Sequence, residues 1–102
     1  NTLYTSGQIA IDPASNQLKT NNISEETALV MQNLKAVLNA ANMDFEHVVK
    51  ASIFLKDMNQ FTEVNEIYGS FFVSNPPARE TVQVAKLPKD VNVEISVIAI
   101  KQ

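Results

Sequence analysis

The sequence has no cysteine and no tryptophan, and only one histidine and two glycines among its 102 residues. Without cysteine the chain can form no disulfide bond, no thiolate metal site and no thiol nucleophile, so an intracellular, cytoplasmic location is the default expectation. The one histidine, His47, follows Glu46 in a predicted turn, and no cluster of His, Cys and carboxylate side chains is apparent. We therefore expect neither thiol chemistry nor a protein-bound metal.

Glycine-rich and basic motifs are scarce as well. Gly7 and Gly69 lie far apart, which excludes a glycine-rich phosphate loop, and the stretch TSGQ at 5–8 does not fit the G-x-S-x-G pattern of a nucleophile elbow. The formal net charge is −3, and no basic block occurs. Nucleic acid is not expected as the main partner, because its binding depends on phosphate neutralisation. No apolar run is long enough to predict a membrane span.

What the chain does contain is an alternation of strand and helix patterns. The predicted elements, in chain order, are the strand 3–11, a short return strand from Leu18, the helix 24–42, the strand 48–55, the helix 59–72 and the strands 79–85 and 92–100. Ser24 is the predicted N-cap of the first helix, and Asn42 is predicted to close it in the left-handed conformation. This order predicts an α+β fold with two helices packed on one sheet.

Alternation along two strands predicts which side chains share a face. The predicted sets are Val49, Ala51, Ile53 and Leu55 in one strand, and Val93, Ile95, Val97 and Ala99, facing the helices, in the last. Glu94, Ile98 and Ile100 then lie on the opposite face of the last strand. Because two helices cover only one face of a sheet, we expect another copy of the chain to cover the second face, in a homo-oligomer whose sheets face one another.

A cation, a carboxylate and a hydroxyl group are expected to converge on that second face. The prolines at 76–77 restrict the backbone direction, so the guanidinium of Arg79 is held ready to bind a carboxylate or phosphate through two donors. Alternation places Arg79 and Thr81 opposite the valines of their strand, and we expect them to share a space with Glu94 and Ser6. A surface arginine, or an interfacial salt bridge between Arg79 and Glu94, explains the same pattern without catalysis.

Four segments of the chain carry a family resemblance. They are YTSGQIAIDP, NLKAVLNAA, VVKASIFLKDMNQFTEVNEIY and PPARETVQVAKLPKDVNVEISVIA. Together they span nearly the whole chain and resemble the Rid family of reactive intermediate deaminases, formerly called the YjgF family. The resemblance implies a chorismate-mutase-like fold of the bacillus type, with two helices on a mainly antiparallel mixed sheet, assembled as a homotrimer with a site between neighbouring subunits.

The resemblance also implies an activity and its residues. The expected reaction is hydrolysis of 2-imino acids, such as 2-iminobutanoate and 2-iminopropanoate, or of their enamines, to 2-oxo acids and ammonia without a cofactor or metal. Arg79 matches the arginine that binds the substrate carboxylate, and Glu94 matches the acid associated with the attacking water, so these are the expected catalytic residues. The other substrate-binding residues implied are Ser6, Gly7, Asn65 and Thr81.

Two departures from the family pattern stand out. Many relatives carry PARSCVEV where this chain has PARETVQV, so Thr81 replaces a cysteine and Glu80 adds a negative charge that alternation directs away from Arg79. The chain also begins without methionine and lacks the GPYSQ-like N-terminal segment, whose tyrosine contributes to the cleft. We expect one Rid-like domain at 1–102, either as part of a longer protein or with an incomplete site.

Two other functions stay open beside the deaminase. The first is a non-catalytic trimer that binds small 2-oxo acids at Arg79 and regulates a metabolic partner, although the presence of Glu94 together with Arg79 favours catalysis. The second is ribonuclease activity or inhibition of translation, which has been proposed for relatives. A trimer of chains that each carry −3 would repel RNA unless it had a local basic patch.

Overall fold

The computed structural model describes all residues, 1–102, and contains four strands and two helices. The strands are β1 (Thr2–Tyr4), β2 (Val48–Leu55), β3 (Ala78–Gln83) and β4 (Val93–Ile100), and the helices are α1 (Ile23–Ala40) and α2 (Phe61–Gly69). The sheet order is β1-β4-β2-β3, antiparallel except between β2 and β3. The parallel pair is joined through α2, because parallel neighbours need a crossover. The predicted α+β fold, with two helices on a mainly antiparallel mixed sheet, is confirmed.

The first helix starts from a different cap than predicted. The N-cap is Asn22, whose Oδ1 accepts hydrogen bonds from the backbone N–H groups of Ser24 at 2.9 Å and Glu25 at 3.1 Å. The prediction of Ser24 was wrong because Asn and Ser cap equally well, and the earlier start places Ile23 in the core. Asn42, with a φ of 60°, follows the helix in the left-handed conformation, as predicted.

A β-bulge near the start of β2 determines which valine is buried. Val48 pairs with Ala99 and Lys50 with Ile98, which leaves Val49 without a partner of its own. Val48 is 5% exposed and Val49 is 44% exposed. The prediction that Val49 shares a face with the core-facing residues of β2 was therefore wrong, because an extra residue in a strand shifts the alternation by one.

The core lies between the helices and one face of the sheet. The β4 residues predicted to face the helices, Val93, Ile95, Val97 and Ala99, are all at most 2% exposed. The second helix contributes Val64 and Tyr68 to the core, with Phe61 and, after the end of the helix, Phe71 packed at the edge. No element of the chain covers the other face, where Tyr4 and Ile100 remain 73% and 44% exposed.

The first strand is shorter than predicted because Thr5 interrupts its pairing with β4. The Thr5 Oγ1 accepts a hydrogen bond from the Val97 N–H at 2.9 Å, where a backbone carbonyl would otherwise do so. Pairing resumes at Gln8 with Ile95, with one residue more in the first segment than in β4. Ser6 and Gly7 therefore lie in a bulge beside β4. The return strand predicted from Leu18 is a single bridge to Ile11.

Candidate active site

Arg79, the only arginine of the chain, is held by one face of α2. Its Nη1 donates a hydrogen bond to Asn65 Oδ1, and its guanidinium carbon lies 5.5 Å from the ring centroids of both Phe61 and Tyr68. Phe61, Asn65 and Tyr68 occupy positions i, i+4 and i+7, so they project from the same side of the helix. The arginine is thus directed by a hydrogen bond and two cation–π contacts.

The backbone before Arg79 turns through a left-handed residue, although a residue that precedes proline usually favours an extended conformation. Asn75 has a φ of 51°, the two prolines follow, and β3 begins at Ala78. A cleft of about 560 Å³ opens beside this segment. Its lining residues are Asn65, Tyr68, Gly69, Phe72, Pro76, Pro77 and Arg79. The cleft combines one cation with proline and aromatic walls, which suits a small carboxylate with an apolar side chain.

Arg79 has no anionic partner within the chain. The three salt bridges of the protein are all made by lysines, and the Arg79 side chain is exposed. Since Asn65 takes one guanidinium nitrogen, the remaining donors stay available for a carboxylate or phosphate. An arginine held in one orientation without a counter-ion is the arrangement expected of an anion-binding residue.

Three buried polar atoms near this region have no hydrogen-bond partner. They are the hydroxyl oxygens of Tyr68 and Thr81 and the Oε1 of Gln60. Burial raises the pKa of the Tyr68 phenol, and the charge of Arg79 offsets part of that rise, so the phenol stays protonated at neutral pH. Thr81, implied by the resemblance as a substrate-binding residue, faces the helices opposite Ile53, with its hydroxyl group shielded from solvent.

Glu94 lies on the open face of the sheet, opposite Phe54 of β2. Its carboxylate is half-buried and takes no part in the salt bridges of the chain. Gly7 packs directly against it: a Cβ added at Gly7 would overlap Glu94 Oε2 and lie 2.6 Å from Cδ. Ser6, beside Gly7, is exposed. A side chain at position 7 would therefore require the Glu94 carboxylate to move from this position.

The two groups of predicted site residues lie on opposite faces of one sheet. Arg79 pairs with Ala51 and Thr81 with Ile53, so both face the helices, whereas Glu94 points to the open face. The prediction that Arg79 and Glu94 share one face was wrong. We call Asn65, Arg79 and Thr81 the arginine half-site, and Ser6, Gly7 and Glu94 the glutamate half-site.

The reason for this error lies in β3. The alternation of β3 predicts that its valines face the core, because apolar residues usually face the helices. In the structure Val82 pairs with Phe54 on the open face and stays 44% exposed, so the apolar side of β3 belongs to the uncovered face. Glu80 also lies on this face and pairs with Lys50 at 3.2 Å, directed away from Arg79 as predicted.

Sequence reasoning missed the residues that hold the arginine. No sequence motif singled out Phe61 or Tyr68 for the site, although their spacing around Asn65 on one helix face was a usable signal. The expectation that the protein binds no metal depends on its residue types alone. The structure contains no group of three or more His, Cys, Asp or Glu side chains placed to hold a metal ion. Neither helix has the length and hydropathy needed to cross a membrane.

Comparison with known proteins identifies the family. The profile described as Endoribonuclease L-PSP matches residues 1–101. The chain belongs to the Rid family, formerly YjgF. A RutC family protein of Saccharolobus solfataricus is 48% identical over 97% of this chain and 79% of its own length. The human 2-iminobutanoate/2-iminopropanoate deaminase is 47% identical over 98% of this chain and 73% of its own length.

A solved structure agrees with the fold. Escherichia coli TdcF, crystallised with bound serine, superposes with a TM-score of 0.94 at 36% identity. The match covers 99% of this chain and 81% of the TdcF chain. This degree of similarity extends the family assignment from sequence motifs to the arrangement of the helices and strands.

Proposed function

We propose that this Rid-family protein hydrolyses 2-imino acids, or the enamines in equilibrium with them, to 2-oxo acids and ammonia. The observation that carries the proposal is Arg79, an exposed arginine without an anionic partner, fixed by Asn65 and two aromatic rings at a cleft. The human relative that bears the deaminase name, at 47% identity, supports the same substrate class. Candidate substrates of this class are 2-iminobutanoate and 2-iminopropanoate.

In this proposal the two half-sites that meet belong to neighbouring copies. Arg79 and Glu94 lie on opposite faces of one chain, so one chain alone does not present both to a four-carbon substrate. The uncovered face around Glu94 is the surface that a second copy would bury. We propose a homotrimer in which the arginine half-site of one subunit meets the glutamate half-site of the next, since closed rings repeat one such contact at every interface.

The chemistry needs few groups. Arg79 binds the carboxylate through charge-assisted hydrogen bonds, each worth about 1.5 to 3 kcal/mol. Glu94 holds a water molecule and takes its proton as the oxygen adds to the carbon of the protonated imine, which gives a neutral carbinolamine. Glu94 returns that proton to the nitrogen, the C–N bond breaks, and ammonia leaves as the C=O bond forms and the hydroxyl proton passes to the Glu94 carboxylate. Glu94 thus acts first as a base and then as an acid, and positioning supplies much of the acceleration.

The activity is tested by coupling the protein to a threonine dehydratase that releases 2-iminobutanoate, with semicarbazide to trap the imine that persists. The wild-type protein should suppress trapping. Arg79→Ala should lower kcat/KM at least about a hundredfold, because the charge-assisted contacts to the carboxylate are lost together. Glu94→Gln should abolish most of the activity. Glu80→Gln, on the same face as Glu94 but paired with Lys50, is the matched control and should keep it.

The shared site is tested by co-expressing the Arg79→Ala and Glu94→Gln chains in equal amounts. In random trimers, about one quarter of the interfaces join an intact arginine half-site to an intact glutamate half-site. Mixed trimers should therefore recover about one quarter of the wild-type activity, although neither parent is active. If the mixture stays as inactive as its parents while the wild type is active, the two residues do not act across an interface.

A second candidate is a non-catalytic binder of small 2-oxo acids that regulates metabolism. It is favoured by one observation: the cleft at Arg79 is formed within one chain, without Glu94. In that case 2-oxobutanoate would bind to the wild type and not to Arg79→Ala, while neither protein suppressed trapping.

Ribonuclease activity, suggested by the description of the family profile, is disfavoured by the formal charge of −3. We place the protein in the cytoplasm because it lacks cysteine.

A further inference from the structure

Glu26 is a buried carboxylate without a cation. It belongs to the first turn of α1, is 0% exposed, and is the only charged residue among the fully buried side chains. None of the three salt bridges involves it. Charged side chains are rarely buried unless they are paired, because the loss of hydration must be compensated. The contacts that Glu26 makes instead therefore indicate its role.

All tertiary hydrogen bonds of the Glu26 carboxylate go to the start of β4. Its Oε2 accepts from the backbone N–H groups of Asn92 at 2.8 Å and Val93 at 3.3 Å, and its Oε1 accepts from Asn92 Nδ2 at 2.7 Å. The positive end of α1 adds favourable electrostatics at this position. One side chain thus binds two consecutive residues at the start of β4, in addition to the bond from Lys56 N–H to Asn92 O and the pairing of Val93 with Leu55.

Glu94 follows directly after these two residues. No hydrogen bond within the chain directs its carboxylate, so its position depends on the backbone of β4 and on the contact with Gly7. After Glu94, the backbone N–H and C=O of Ile95 bond to Gln8. Before Glu94, the Glu26 contacts connect the strand to α1. The carboxylate therefore projects from a short length of strand that is fixed on both sides.

We infer that Glu26 is a positioning residue for Glu94: its buried carboxylate holds Asn92 and Val93 and so sets where the Glu94 carboxylate stands on the open face. This inference rests on the proposed function, in which Glu94 holds the attacking water. The effect depends on the reach of the Glu26 side chain and not on its charge, because its partners are neutral N–H groups.

The test compares two substitutions that separate reach from charge. Glu26→Gln keeps the length and one acceptor oxygen for the backbone N–H groups, and Asn92 can rotate its amide to accept from the new NH₂ group. Glu26→Asp keeps the charge but is one methylene too short. Glu26→Gln should retain kcat, whereas Glu26→Asp should lower kcat about ten- to hundredfold with KM within about twofold, because a displacement of about 1 Å has effects of that size.

Two further variants exclude a general loss of stability as the cause of the lower kcat of Glu26→Asp. Thr27→Ala, beside Glu26, removes a buried hydrogen bond to Ile23 O that lies wholly within α1, and it should leave kcat unchanged. In a Glu94→Gln background, Glu26→Asp should lower the residual kcat no further, since the residue acts through Glu94. Equal kcat for Glu26→Asp and wild type, or additive losses in the double variant, would overturn the inference.

A measurement without substrate separates this inference from the proposed function. In protein labelled with ¹³C at the glutamate carboxyl groups, the Glu94 resonance should coincide in wild type, Glu26→Gln and Thr27→Ala, and should move or broaden in Glu26→Asp. A wild-type protein without deaminase activity would refute the proposed function, and the resonances would still decide the positioning role. An unchanged Glu94 resonance in Glu26→Asp would refute that role even if the wild type is active.

Discussion

At the scale of single residues, Tyr68 places a hydroxyl group in the interior without a hydrogen-bond partner. The residue is 4% exposed, and its ring contacts the guanidinium of Arg79. An unsatisfied buried polar group destabilises a fold by about 1 to 3 kcal/mol. The ring of Tyr68 therefore stabilises the fold through its contact with Arg79 and its packing in the core. The buried hydroxyl group lowers that stability.

Tyr68→Phe should keep the fold and raise the free energy of unfolding at pH 7 by about 1 kcal/mol. Burial raises the pKa of Tyr68, so the folded protein favours the protonated phenol, and stability is lost only as the pH rises above about 10, the pKa of an exposed tyrosine. Urea unfolding should show this alkaline loss in the wild type, and the Phe variant should lack it.

A Tyr68→Phe variant that is less stable than wild type at pH 7 would show that the hydroxyl group has a hydrogen-bond partner in the assembled protein.

At the scale of elements, the start of α1 shows what decides between two residues that are equally suited to be its N-cap. Asn22 and Ser24 both have side chains suited to an N-cap, and the residue type alone does not rank them. The buried position of Ile23 selects Asn22, because a helix that began after Ser24 would leave Ile23 outside the first turn. The same earlier start brings Glu26 to the position from which it reaches β4.

Asn22→Ala should lower the free energy of unfolding by about 1 kcal/mol, because two backbone N–H groups lose their acceptor. Ser24→Ala should change it by no more than about 0.5 kcal/mol, since Ser24 accepts no capping bond. Urea unfolding followed by circular dichroism measures both values. A larger loss of free energy of unfolding for Ser24→Ala than for Asn22→Ala would show that Ser24 is the N-cap.

The strands of the sheet show where the alternation of apolar and polar residues fails to predict which side chains are buried. The burial pattern of β4 followed from its sequence because both bulges lie in its neighbours, so the alternation of β4 itself is unbroken. In β2 the bulge at Val49 shifts the pattern, and in β3 the apolar side faces away from the helices. Both deviations depend on the neighbouring strand, which a local pattern does not contain.

At the scale of the whole molecule, one face of the sheet lacks a cover. Tyr4, Phe54, Val82, Ile98 and Ile100 lie on this face together with Glu94. Contiguous apolar surfaces of this kind mark interfaces or become aggregation sites. The proposed trimer buries this face and brings the two half-sites together, so assembly and activity should be lost together.

Ile98→Lys should therefore convert the trimer to monomers and remove deaminase activity, because a charged side chain would be placed in the apolar interface. Sedimentation equilibrium measures the change as a fall from three times the mass of one chain to the mass of one chain. Val73→Lys is the control: Val73 is 101% exposed and lies outside the sheet, so its variant should remain trimeric. A monomeric but active Ile98→Lys protein would refute the shared site.

The sequence by itself determined the order of strands and helices, the buried side of β4, the orientation of Glu80 and the family. These depend on local patterns: alternation, capping residues, the prolines before Arg79 and motifs that span nearly the whole chain. Tertiary structure alone decided that Arg79 and Glu94 lie on opposite faces, that Phe61 and Tyr68 hold the arginine, and that Glu26 reaches Asn92. Each of these depends on strand register or on a contact between residues distant in the chain, and residue order does not encode either locally.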